Sequence, residues 1–348
     1  MVSLSVLDVA LVAPGGTARQ ALHDVVRTAV AADACGYHRF WVAEHHNSPR
    51  CAGSAPAVLI SHIAAVTRRI RVGSGGVMLT NHAPLTVAEQ FAVLQSLHDD
   101  RIDLGVGRAT GGTDSSTLLD RALRRPPQAR AEFPQLLDEL VGFLHGRWPD
   151  EHPFRDLELS PALPVPPDVF VLGTSENGAR TAAARGLPFA YGAHLGPKSR
   201  PAALDRYRSA FSPGPLGASP YVVASVNVQC AATDEEAERL VHESVAARFH
   251  QKHTATSPGV VLPEPRERYL IGRMLEDLQL VRGGPATVAA GLRRLAATLG
   301  ADEIMLVPYD ITAAGRERTL RLTAAAWSPP PQPDRPRVAG GQVRPAVS

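Results

Sequence analysis

The residues best equipped for chemistry lie in one short stretch, Phe40–Arg50, reading FWVAEHHNSPR. An apolar run ends there in Glu44, His45 and His46. A carboxylate beside imidazoles suits proton transfer, because the histidine pKa lies near neutrality and a carboxylate can orient or charge-tune the ring. The same residue types bind metals. On a strand, however, neighbouring side chains point to opposite faces, so His45 and His46 do not share one ion. No HxH pair or HExxH helix completes a zinc site, and the expectation is no metal. Alternation does not say which histidine faces a pocket. Two structural histidines at a strand end would also account for this stretch taken alone.

Three other stretches offer binding chemistry. In VGSGGVML, Gly75 and Gly76 interrupt a strand pattern, where glycine is costly. Close approach by a flat ligand, a bulge or an unusual peptide bond would each explain them. GVGRATGG is spaced G-x-G-x-x-x-G, one residue too long for a dinucleotide loop, and no helix follows at once, so it is not a Rossmann turn. Its Arg108 ends a strand, and a guanidinium fork suits a phosphate. In VLGTSENGARTAAARG, an apolar strand runs into Gly173, Thr174 and Ser175 and then a helix. The two hydroxyls, with N–H groups near Gly178 and Ala179, can cradle a phosphate. An ordinary Ser or Asn helix cap would read the same way.

These residues need a scaffold that brings strand ends together. Eight apolar runs read as strands: Leu4–Val12, Arg39–His46, Ile70–Leu79, Ile102–Arg108, Asp168–Ser175, Pro188–Leu195, Tyr221–Ala232 and Glu303–Asp310. Between them the spacing predicts helices over Thr17–Cys35, Ala55–Arg68, Pro84–His98, Arg180–Arg185, Asp234–Phe249, Pro285–Leu299 and Ala313–Ala326. Gly36 stands where a left-handed C-cap belongs, Thr233 or Asp234 where an N-cap does, and Pro285 in a first turn. Alternating strands and helices imply parallel strands joined by right-handed crossovers. Eight units close most economically into a (β/α)8 TIM barrel, with an open doubly wound sheet as the rival. Ala109–Pro127 and His250–Arg282 break the rhythm as long insertions on the C-terminal face, where chemistry sits in such barrels. The expected domain is 1–327. The Pro- and Gly-rich tail 328–348 is expected to be disordered.

Composition removes several function classes. The chain has 348 residues, 44% apolar and 20% charged, as a globular protein does. Its 36 basic and 34 acidic residues give +2, too small a field to imply nucleic acid or an anionic membrane. Three cysteines without ligand spacing imply a reducing compartment, and no run is long enough to span a bilayer, so the expected location is the cytoplasm.

In order, GYHRFWVAEHH, RIRVGSGGVMLTNHAPLTVAEQFAVLQSLHDDRIDLGVGR and VLGTSENGARTAAARGLP resemble the bacterial luciferase-like superfamily of flavin-dependent oxidoreductases. The chain resembles in particular its single-chain, FMN-using monooxygenases often found in natural-product tailoring. The resemblance spans Met1 to about Trp327. It implies an eight-stranded barrel, a homodimer, and reduced FMN from a separate reductase. With O2, that cofactor would oxygenate a small organic substrate. It assigns His45 as the catalytic histidine with Glu44 and His46 beside it, and a non-proline cis peptide at Gly75–Gly76. It also implies a phosphate site at Arg108 and at Gly173, Thr174, Ser175, Gly178 and Ala179. Two positions depart: luciferase carries a glutamate where Thr174 stands and a reactive cysteine where Gly107 stands, so light emission is not implied. The alternatives are an F420-dependent hydride-transfer enzyme of the same superfamily, for which Arg121, Arg124 and Arg125 could meet an acidic cofactor tail, and a non-catalytic flavin-binding protein.

Overall fold

A computed structural model describes residues 2–98, 100–109, 117–195, 202–257 and 259–327. The tail expected to be disordered, 328–348, lies outside the described residues. The first half runs β1 (Ser3–Asp8), α1 (Ala18–Ala34), β2 (Arg39–Val42), α2 (Pro56–Val66), β3 (Arg71–Met78), α3 (Pro84–Leu97), β4 (Ile102–Gly107), α4 (Thr117–Ala122) and α5 (Phe133–His145). The second runs β5 (Asp168–Gly173), α6 (Glu176–Ala183), β6 (Phe189–Tyr191), α7 (Ala202–Ser209), β7 (Val222–Cys230), α8 (Asp234–Thr256), α9 (Glu264–Glu276), β8 (Leu280–Gly283), α10 (Pro285–Leu299), β9 (Glu303–Pro308) and α11 (Ala313–Ala326).

All the strands pair in parallel. Neighbours run from β1 through β7, then to β9 and back to β1, so eight strands close a (β/α)8 barrel. Helices coat its outside, and Phe40, Val42, Phe91, Leu104 and Leu292 belong to the apolar layer beneath them. The opposite faces of the same strands fill the barrel axis with Leu7, Trp41, Ala43, Phe170, Ala190, Val223, Met305 and Val307. The period of two along each strand therefore writes two cores at once.

The expected caps form. Thr17 and Gln20 make a capping box on α1, Thr233 Oγ1 accepts from the Glu236 N–H, Pro285 occupies the first turn of α10, and Gly36 has φ +78°. The second insertion is not a loop. The helix expected to end at Phe249 continues to Thr256, α9 packs beside it, and β8 adds a ninth strand along the upper edge of β7. Val241, Val245 and Tyr309, with Ile271, Met274 and Leu275, form a separate small core beneath this helical pair. Helix α5, which stands on the barrel after the first insertion, was not expected; its apolar stripe of Phe133, Leu137, Leu140 and Leu144 is plain only once the barrel supplies a surface to cover.

Candidate functional site

Strand β2 settles which histidine faces inward. Trp41 and Ala43 point to the barrel axis. Past the end of β2, His45 lies near enough to His194 across the mouth for its charge to act there, while Glu44 turns toward β3 and takes His46 with it. His45 Nδ1 is buried without a partner among the described residues, and its backbone N–H is held by the Gly53 carbonyl at 2.7 Å. Burial pushes its pKa below the usual histidine value, with the Glu44 charge opposing, so the ring is neutral at pH 7.

Glu44 is fully buried yet ionised. Burial would raise its pKa, but His82, the Met78 N–H and His46 together hold it below the ordinary carboxylate value. The contacts are 2.9 Å to His82 Nε2, 2.9 Å from the Met78 N–H and 2.6 Å to His46 Nε2. These three side chains put metal-type ligand atoms within 4.8 Å of one another. At their separations they are already closed as one hydrogen-bonded network behind His45. His82 did not stand out in the sequence. It follows the end of strand three, the position in a barrel where polar residues gather, and only that rule could have found it.

On β3, the Gly75–Gly76 peptide is cis and the register with β4 shifts between Gly75 and Val77. A Cβ on Gly75 would lie 2.6 Å from Leu7 Cδ1, and one on Gly76 2.7 Å from the Gly105 carbonyl oxygen. Packing within the barrel thus opposes a side chain at both positions, through side chains at Gly75 and through backbone at Gly76. A valine at Gly76 would disturb the barrel itself, because its Cβ meets backbone that cannot step aside.

Gly107 pairs with Leu172 in the register of β4 and β5. One step further sets Arg108 beside Gly173 at the head of the Thr174–Ser175 turn. Arg108 is exposed and has no partner among the described residues. Ser175 caps α6, its Oγ accepting from the Gly178 N–H at 3.3 Å, and the Ala179 N–H bonds the Ser175 carbonyl at 3.1 Å. Those two N–H groups are engaged by the helix itself. The turn still offers the hydroxyls of Thr174 and Ser175 and the N–H groups of Glu176 and Asn177.

Across the mouth, a histidine that the sequence reading placed inside strand six proves to belong to the site. His194 lies in a short 3-10 turn, Ala193–Leu195, just past β6. Its Nδ1 is 2.7 Å from Ser225 Oγ, and burial, with the nearby His45, brings its pKa down to about 4. Of the arginines that could meet an acidic tail, Arg125 is taken up by Asp120 and Asn81. The two clefts outlined elsewhere, about 370 Å³ beside Val2, Arg293 and Trp327 and about 480 Å³ between β8 and α10, contain no carboxylate or histidine. The chemistry gathers at the mouth.

Residues 2–303 match the family model of the luciferase-like monooxygenases. An N-acetyl-S-alkylcysteine monooxygenase of Bacillus subtilis (strain 168) is 36% identical over 334 residues, 94% of this chain and 98% of that one. A luciferase-like monooxygenase of Escherichia coli (strain K12) is 37% identical over 313 residues, 88% of this chain and 91% of its own. The crystal structure of apo-MsnO8 superposes with a TM-score of 0.81 at 36% identity, covering 94% and 98% of the two chains. No helix among the described residues is long and apolar enough to cross a membrane. The inward histidine at the head of β2, the cis Gly75–Gly76 peptide and the match over most of the chain agree, and the protein belongs to the luciferase-like monooxygenase family.

Proposed function

We propose that this chain is an FMN-dependent monooxygenase that oxygenates a small organic substrate in the reducing interior of the cell. The observation that carries the reading is the placement of Arg108, exposed and without a partner among the described residues, beside the Gly173–Ser175 turn on strands adjacent to Gly75–Gly76. A phosphate fits there: a charge-assisted fork, two hydroxyls and two free helix N–H groups converge on one strand boundary. Gly75 and Gly76 present bare backbone one strand over, where a flat ring can lie. Reduced FMN would supply the two electrons that, with O2, put one oxygen atom into the substrate and release the other as water.

The protein's own part is to position and to handle protons. His45, neutral and inward, can accept or give a proton at Nε2 above the apolar layer of Leu7, Trp41 and Val307. Glu44 holds His46 and His82 so that the peptide carrying His45 stays fixed against β3. The α8–α9 pair stands over the same end of the barrel, where Gln251 bonds the Val12 carbonyl and Arg248 the Tyr309 carbonyl, and it can exclude water from the mouth. A separate reductase supplies the reduced cofactor. Val58, Val66, Val93 and Leu97 leave an apolar surface on α2 and α3 that supports a homodimer. A role in natural-product tailoring, or on N-acetylated thioethers like those for which the Bacillus relative is named, fits this chemistry.

The test is to add the purified protein to reduced FMN and to reduced F420 separately, measuring binding and oxygen uptake with a panel of N-acetyl-S-alkylcysteines present. Binding and coupled oxygen uptake with FMN are expected. Tight binding of F420 without oxygen uptake would replace the reading with hydride transfer, and binding of flavin without turnover would leave a flavin-binding protein.

A further inference from the structure

His194 sits where β6 delivers it, opposite His45 on β2, since these are facing strands of an eight-stranded barrel. Its surroundings offer one consistent placement of the proton on its ring. Ser225 Oγ donates to the Tyr191 carbonyl at 3.2 Å, and a carbonyl can only accept. With the serine hydrogen so placed, the Ser225 oxygen receives the hydrogen of His194 Nδ1 at 2.7 Å; a serine hydrogen turned to Nδ1 instead would give the other tautomer. Asn227 Nδ2 holds the His194 carbonyl at 3.1 Å and the Gln279 carbonyl at 2.9 Å, so the turn is tied to β7 and to the residue before β8. Ser225 and Asn227 share the inward face of β7 with Val223. What remains is Nε2. It has no partner among the described residues.

We propose that His194 is a substrate-positioning residue, whose bare Nε2 accepts a hydrogen bond from an N–H or O–H donor of the organic substrate and so selects substrates that carry such a donor. This rests on the monooxygenase reading above. Phosphate and ring contacts occupy the β3–β5 side of the mouth, and the β6–β7 side with the α8–α9 pair is left for the substrate. Burial keeps the imidazole uncharged through the physiological range, so its acceptor stays in place. A secondary amide, as in an N-acetylated thioether, offers the required donor.

The test has two arms on the full chain. In the first, histidine-selective 15N NMR from pH 5 to 8 reads the tautomer, with His194→Gln identifying the resonance. A neutral ring protonated at Nδ1 and bare at Nε2 down to pH 5 is expected, and Ser225→Ala should populate the other tautomer. A parent ring protonated at Nε2, or titrating near pH 6.5, would overturn the proposal. In the second, photoreduced FMN is supplied and N-acetyl-S-methylcysteine is compared with its N-methylated amide, which lacks the donor. His194→Leu should raise the KM of the first roughly tenfold with kcat nearly unchanged, His194→Gln should restore most of the loss, and the N-methylated probe should bind parent and Leu variant equally weakly. Equal KM values for parent and His194→Leu on the first probe would also overturn it. If the parent oxygenates neither probe, the N-acetyl thioether is excluded as substrate, and the NMR arm still decides whether His194 is a fixed acceptor.

Discussion

At the N-terminal end of the barrel, Arg39, Asp103 and Glu303 are all fully buried and close on one another. Arg39 reaches Asp103 at 2.9 Å and Glu303 at 3.1 Å, Arg71 and Trp41 Nε1 also donate to Asp103, and Ser5 and the Tyr221 hydroxyl donate to Glu303. Of the whole set only Arg39 Nη2 lacks an acceptor. At the C-terminal end, the polar groups are as carefully placed but left open: His45 Nδ1, His194 Nε2 and the Arg108 guanidinium have no partner among the described residues. Buried charges matched to each other hold a fold, and removing one strands its partners. Groups left unmatched at a barrel mouth are those available to a ligand.

The sharpest way to separate the two ends is His45→Ala. Loss of a proton carrier is expected to lower product formation by roughly 10²–10⁴-fold while the thermal midpoint stays near that of the parent. Parental turnover would move His45 to the structural class. Asp103→Ala should do the reverse, costing on the order of 3–5 kcal/mol of stability by chemical denaturation, because Arg39 and Arg71 lose their shared carboxylate in the interior. A loss under about 1 kcal/mol would show that the floor is not held by this cluster.

Arg108→Ala should weaken reduced-flavin binding by about 1.5–3 kcal/mol, roughly tenfold to a hundredfold, with the melting temperature of the apoprotein unchanged. Titration with reduced FMN reads it directly.

Acid separates the ends by pH window. Asp103 and Glu303 have pKa values held below normal, chiefly by Arg39 against the effect of burial, so the stability they contribute is present above about pH 4 and lost as pH falls through the native values. His194 and His145 are both brought down to about 4 by burial. The unfolded chain takes up those protons first, so stability should decline from about pH 6.5 toward 4. His194→Gln should make the decline in that upper window shallower, His145 still contributing, and leave the lower one alone; an unchanged profile would show that His194 does not titrate as a buried neutral ring.

The smallest effect expected is at Gly75. Gly75→Ala meets the end of the Leu7 side chain, which can rotate, and presses on Trp41 at 3.1 Å, whereas Gly76→Ala meets the Gly105 carbonyl oxygen, which cannot move. Denaturation midpoints should fall slightly for the first and by about 1–3 kcal/mol for the second. Equal losses would mean that packing does not distinguish the two glycines.

The eight barrel strands were legible because each is a short apolar run bounded by polar residues, and helices such as Pro285–Leu299 carry their own punctuation. Helix α9 was not legible: it has no buried residue and packs through half-covered ones such as Ile271 and Met274, so its apolar signal is weak until α8 lies beside it. Strand β8 is only Leu280–Gly283, and nothing in four residues distinguishes a strand from a loop. Within the site, the chemistry of Glu44-His45-His46 and the special demand at Gly75–Gly76 were present in residue type and spacing. Those are local properties. The sequence determined that a strand ends in two histidines facing opposite ways and that a strand contains two glycines. The tertiary structure decided that His45 is the inward one, because its direction follows from Trp41 and Ala43 packing on the barrel axis. It also decided that His82 completes the Glu44 network and that His194 stands across the mouth, since both depend on which strands become neighbours when the sheet closes.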